Sequence, residues 1–315
     1  MEVLIQTEYF TLKEMADGMF AAIAKPGSGA WSNAGFVDLG TELLVFDAFI
    51  TPSASRELKN QAEKLTGKKV AYLVNSHFHG DHVFGNQTFK EQVIISTTTT
   101  KEWINEKNAI GDMDKEQQET EQYLKDLVQQ ISVEENAAIK SSLTNQFLEM
   151  TKLLEELPNL ELVLPSLTFE KNLKIHGTVR DVELYCLGGG HSVSDAFLYV
   201  PQENAAFMGD LITEDLHLPI YNPDAFLAIL ERVKTMDILA ILPGHGEVGT
   251  GKQIDAMIEY VSMLISAGKG AHYSAISLED FLNGFIPPEE YIKWKGVQGI
   301  RRNLATVYNF YAQTI

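Results

Sequence analysis

Between Met19 and Ile95, short apolar runs ("MFAAIA", "AGFVDLG", "ELLVFDAFI", "VAYLVNS", "EQVIIS") alternate with Gly, Asn and charged residues. Such β-rich runs bounded by turn formers predict strands, with one helical interval at "SASRELKNQAEKLTG". From residue 100 to 157 the period changes. Leu124, Leu127, Val128 and Ile131, then Phe147, Met150, Leu154 and Leu157, recur at helical spacing amid Glu, Gln and Lys, which predicts two amphipathic helices. The expected arrangement is an antiparallel pair lying on the body of the protein; the alternative is a face that binds a partner in an oligomer. The segment is longer than a strand connection requires, so its apolar faces, including Trp103 and Phe147, either roof a substrate pocket or cover a sheet.

Strands resume from residue 160 to 213, where apolar runs alternate with turn signals. Asp224 is expected to cap the helix "AFLAILERVKTM", followed by a buried strand "ILAIL" that "PGHGEVG" breaks. A long helix then presents Ile254, Met257, Ile258, Val261, Leu264 and Ile265 on one face, Ser277 and Asp280 open another, and "IRRNLATVYNFYAQTI" predicts a last one. With no fixed-period repeat and no low-complexity linker, residues 1–315 read as one domain. It would carry a helical insertion at 100–157 and a C-terminal helical extension at 251–315.

Composition narrows the partners. A chain of 315 residues with 45% apolar content can bury a substantial core. Its net charge of −18 repels polyphosphate and anionic lipid, so a small-molecule substrate is expected rather than nucleic acid or membrane, with a homo-oligomer possible. The single cysteine, Cys186, excludes an internal disulfide framework and is expected to be a small core hydrophobe. The N-terminal stretch is acidic where a secretion signal would be basic, and no apolar run approaches the roughly 20 residues of a membrane span. A cytoplasmic location is therefore expected.

Against that background, "NSHFHGDHVFGN" places three of the eight histidines and an aspartate within six positions. The preceding strand ends at Asn75, so the motif opens on a loop at a strand's carboxyl end. Alternate residues of an extended segment point the same way, so His77 and His79 can reach one metal ion; a turn at Gly80 would let Asp81 and His82 face a second. His191 follows a strand and the run Gly188 to Gly190, Asp210 follows "AAFMG", and His245 follows "ILAILPG". Each time a strand ends, a glycine permits a sharp turn, and a metal donor appears. Four such ends suggest one metal-bearing edge.

His77-x-His79-x-Asp81-His82, with His191, Asp210 and His245 in order behind it, resembles the metallo-β-lactamase superfamily of hydrolases over roughly residues 20 to 250. The resemblance implies an α+β fold, a four-layer αβ/βα sandwich of two mixed β-sheets flanked by helices, with a two-metal site at the sheets' edge. It implies that His77, His79 and His191 hold a first ion, that Asp81, His82 and His245 hold a second, and that Asp210 bridges both. Asp47, at the end of "LLVFD", matches the aspartate that supports the ligands. Two divalent ions follow, zinc foremost, with iron or manganese as alternatives. A bound water would fall in pKa from about 15.7 to roughly 7 and serve as nucleophile, with Asp81 and Asp210 orienting it and moving a proton. No G-x-S-x-G elbow offers a competing nucleophile.

The implied activity is hydrolysis of a small ester, lactone, thioester or amide-type substrate. An iron-dependent oxidoreductase resembling persulfide dioxygenase is the alternative, and a non-catalytic binding protein a third. The best-known zinc β-lactamases have a cysteine or a non-ligand where Asp210 stands, which makes β-lactams secondary at most. Quorum-sensing lactonases place a tyrosine three residues beyond the bridging aspartate, where this chain has Thr213. His217 and Tyr221 either line the pocket or only pack their loop; His176 and His272 have no supporting context.

Overall fold

The computed structural model describes residues 2–313. Eight strands lie side by side in chain order: β1 (Val3–Gln6), β2 (Phe10–Ala16), β3 (Met19–Ala24), β4 (Ala34–Asp38), β5 (Glu42–Phe46), β6 (Lys69–Val74), β7 (Val93–Thr97) and β8 (Leu167–Phe169). The first five pair antiparallel and the last three join in parallel. A second sheet holds β9 (Asn172–His176), β10 (Asp181–Cys186), β11 (Ala196–Val200), β12 (Ala205–Phe207) and β13 (Ala240–Leu242), with only β13 parallel to its neighbour.

Period-two alternation builds the layers. Met19, Ala21 and Ile23 of β3 face the second sheet, where they meet Leu184 and Leu198, while Phe20 and Ala22 face the other way. That outer face is covered by α1 (Pro52–Thr66) through Ala54, Leu58 and Ala62. On the far side, Phe197 and Ala206 pack under α6 (Pro223–Lys234), α7 (Gly251–Tyr273) and α10 (Gly299–Gln313). Helix, sheet, sheet, helix is the expected sandwich, and both sheets are mixed. Strands β1 and β2 were not foreseen; "FTLKEMA" hides its alternation behind a bulge, yet Phe10 and Leu12 are fully buried.

A short helix, α2 (Gly80–Val83), follows β6. Between β7 and β8 come three helices rather than two: α3 (Thr98–Lys107), α4 (Met113–Val133) and α5 (Ala137–Glu156). Helices α4 and α5 pack on each other, and Gln146 reaches the Tyr123 hydroxyl across the pair. The apolar stripes are thinner than their spacing suggested. Leu127 and Leu157 are buried, but Val128 is 51% exposed, and α5 buries Leu143, Glu149 and Leu153 instead. The reason is that α4 has little beside α5 to lie on, whereas α5 also meets the body of the protein at Ile50 and Trp31.

The cap of α6 is Asn222, not Asp224: Pro223 fits the first helical position, so the cap falls two residues earlier than expected, and Asp224 instead accepts the Tyr311 hydroxyl. Cys186 closes β10 and is half-buried rather than a core residue, because the chain leaves the sheet at once. Two short helices, α8 (Leu278–Gly284), capped by Ser277, and α9 (Glu289–Ile292), lead into α10. Among the described residues no helix is long and apolar enough to cross a membrane.

Candidate metal centre

All seven donors come together where the strands of both sheets end. His77 Nε2 lies 2.9 Å from His79 Nδ1, which lies 3.1 Å from His191 Nε2; Asp210 Oδ2 completes the group at 3.3 Å from His191. Beside it, His82 Nε2 is 3.6 Å from Asp81 Oδ2, which is 3.3 Å from His245 Nε2. Asp210 turns its other oxygen to this group, with Oδ1 at 3.3 Å from His82 and 3.5 Å from His245. One carboxylate thus faces two clusters, one oxygen to each.

These spacings fit a pair of cations. Tetrahedral bonds of about 2.1 Å set donor atoms roughly 3.4 Å apart, close to the separations found. Two of the atoms, His82 Nε2 and Asp210 Oδ1, are buried and have no hydrogen-bond partner, a costly state that a cation would relieve. The other ring nitrogens are already engaged. His191 Nδ1 donates to the Pro219 carbonyl at 2.8 Å, and His82 Nδ1 meets Asp47 Oδ2 at 2.8 Å, so that each Nε2 is turned toward the centre. His77 Nδ1 contacts Ser76 Oγ, which in turn donates to Asp47, so that one aspartate steadies two imidazoles. Asp47 holds this post with φ of 60°, in the left-handed region that a side chain pays for.

Electrostatics divide the clusters. Burial pushes His77 well below the usual histidine range and His79 down to about 4, helped in both by neighbouring imidazoles, so these rings are neutral. Burial also opposes charge on His82 and His245, but the Asp210 and Asp81 carboxylates outweigh it, raising His82 well above its ordinary value and His245 to about 9. The second cluster therefore carries protons that an arriving cation would displace.

Several supporting residues were not visible from sequence. Asp195 gathers the backbone N–H groups of Gly190, His191 and Ser192 on its carboxylate and so shapes the His191 loop. Asn33 donates its amide to the carbonyls of Pro243 and Gly246, on both sides of the His245 turn. An Asp five residues beyond a glycine run was a usable signal for the first; Asn33 gave none. The glycines also act differently from one another. Gly209 does take a positive φ of 50°, but Gly244 is needed for space: a Cβ there would stand 2.0 Å from Asp210 Oδ1.

A 640 Å³ cavity opens over the donors His79, Asp81, His191, Asp210 and His245. Helix α5 walls it with Ser142, Asn145, Gln146 and Glu149, a polar face; neither Phe147 nor Trp103 reaches it, because α5 turns its apolar side inward and Trp103 packs on Phe78. His217 lines the cavity with both ring nitrogens engaged, by the Tyr260 hydroxyl and the Tyr291 carbonyl. Tyr221 is exposed and outside it. His176 pairs with Asp181 on the surface and His272 packs on Tyr308, both away from the centre.

The family model described as metallo-beta-lactamase superfamily matches residues 32–245, well over half of the chain. The chain belongs to that superfamily. The matched span holds all seven donors and the Asp47 support. Among solved structures, TMB-1 is similar with a TM-score of 0.56 at 14% identity, covering 81% of this chain and 98% of that one. At that identity the likeness speaks for the superfamily's sandwich and not for a shared substrate. Most members of the superfamily are metal-dependent hydrolases, and the His/Asp cluster is of the kind that holds divalent metal.

Proposed function

We propose that the chain is a hydrolase with a dinuclear centre, zinc foremost, acting on a small ester, thioester or related acyl substrate. The observation that carries this reading is Asp210, whose two oxygens face two separate donor clusters. His77, His79 and His191 would hold one divalent ion, Asp81, His82 and His245 the other, with Asp210 shared. Such a pair supplies Lewis acidity and a water acidic enough to attack a carbonyl near neutral pH.

The chain's own residues do the rest. Asp81, half-buried and facing the cavity, would take the proton of an attacking water and pass it to the departing group, and Asp210 would orient that water. Asp47, Ser76 and the Pro219 carbonyl keep the imidazoles aimed. The polar face of α5 suits a substrate with hydrogen-bonding groups. Thr213, buried and bridged to His245, offers no phenol to a carbonyl, which disfavours a lactonase of the quorum-sensing type.

Protein purified without added metal should contain close to two zinc per chain and turn over at least one member of a panel of thioesters, aryl esters and lactones. One iron per chain with oxygen consumption would replace this reading by the oxidoreductase, and absence of both metal and turnover by a binding protein.

A further inference from the structure

The cavity that the donors share is also lined by the C-terminal segment, which contributes three cations, Lys293, Lys295 and Arg302. They are grouped on one cavity wall in a chain whose net charge is −18. Arg302 is half-buried, and burial pulls its pKa down, yet among the described residues no hydrogen bond or ion pair reaches its guanidinium. The cavity's own acids leave it so: Glu214 accepts the Glu247 N–H, Glu247 pairs with Lys13, and Asp215 forms no ion pair with any of the three cations. A desolvated guanidinium without a counter-charge is an unfavourable arrangement that an incoming anion would complete.

The wall is also rigid. Asn303, next to Arg302 and fully buried, donates its amide to the Leu218 carbonyl and to the Tyr260 hydroxyl. Trp294, between the two lysines, packs its ring on Tyr260, Tyr291 and His217. Lys295 N–H donates to Asp215, and the Lys295 carbonyl accepts from His217 N–H. The cations are thus fastened to the segment that follows the donor Asp210, and they line the same cavity as the donors.

We propose that Arg302, assisted by Lys295 and Lys293, is a substrate-positioning residue that binds a carboxylate at the end of the substrate remote from the bond cut at the donors. This rests on the hydrolase reading for what happens at the donors, but anion binding itself does not require it. The substrate class is then an acyl compound with a free acid at its other end.

The test uses S-acetyl derivatives of mercaptoalkanoic acids of graded length, each against its carboxamide counterpart, with the zinc-loaded full chain. Wild type should prefer the acids, and Arg302→Gln should lower kcat/KM for the acids by roughly 10–100-fold while sparing the amides and the zinc content. Lys295→Gln, at an exposed position that leaves folding undisturbed, should act in the same direction but more weakly. Equal losses on acid and amide would mean a merely structural role and overturn the proposal, as would an absence of acid preference in wild type. If wild type hydrolyses neither, the hydrolase reading fails and calorimetric titration with adipate against adipamide decides alone. Adipate binding that weakens at least tenfold in Arg302→Gln upholds the anion site, and no adipate binding by wild type overturns it.

Discussion

Asp47 Oδ2 sits 2.8 Å from His82 Nδ1, and both side chains are almost wholly removed from solvent. Their union fixes the tautomer of His82 and, through Ser76, the ring of His77. Asp47→Asn should keep the fold but weaken zinc binding or turnover by about 10–100-fold, measurable by competition with a chromogenic chelator. Native affinity and rate in this variant would remove Asp47 from the machinery.

Asp210→Ala should lose one zinc equivalent and lower turnover by at least ~100-fold, since two cations without their shared carboxylate repel each other. Thr213→Ala should do neither. Metal content and kinetics on the same preparations decide it; two retained ions would refute the bridge.

Gly244→Ala tests the space above the same carboxylate. A methyl would fall 2.0 Å from Asp210 Oδ1, so either Asp210 or the His245 turn must yield. We expect about 1–3 kcal/mol of lost stability together with lost zinc, whereas Gly67→Ala, where a methyl meets nothing, should leave zinc untouched. Unchanged zinc in Gly244→Ala would contradict the crowding.

Glu149 offers a pH signature. Gly27 and Gly29 N–H groups donate to its two oxygens at 2.7 and 2.6 Å, which favours the carboxylate, but burial prevails and lifts its pKa to about 7. A raised folded pKa means a contribution to stability that is full below the unfolded value and lost as pH rises through the folded one. The thermal stability of wild type relative to Glu149→Gln should therefore decline between about pH 5 and pH 8. A difference that grows with pH would show the charged form to be the stabilising one.

Much of this could be read along the chain because the donors themselves are chemically conspicuous. His77 to His82 lie within a few residues, and His191, Asp210 and His245 each follow a strand and a glycine, so spacing suggested one shared edge and the family resemblance assigned their roles. Asn33 and Ser76 were not legible: each is a common loop residue whose partners are fixed only by the fold. Helix α5 misled for a related reason. Its stripe of Phe147, Met150 and Leu154 described a face correctly in period, but burial went to Leu143, Glu149 and Leu153, because two unequal neighbours, α4 and the body, share the helix. Arg302 lacked any motif, and only the cavity gives it meaning.

Ser142 Oγ accepts the Gly296 N–H at 2.8 Å, so the helical segment between β7 and β8 is tied directly to the chain's last stretch. The order of synthesis gives this contact a further sense. A chain emerging from the ribosome has made every donor by residue 245, before Lys293, Lys295 and Arg302 and before the helices α7 and α10 that cover the second sheet. The residues that would do the chemistry and those that finish the cavity are therefore separate stretches of chain, and the centre and its outer layer are completed together only when the last helices are made.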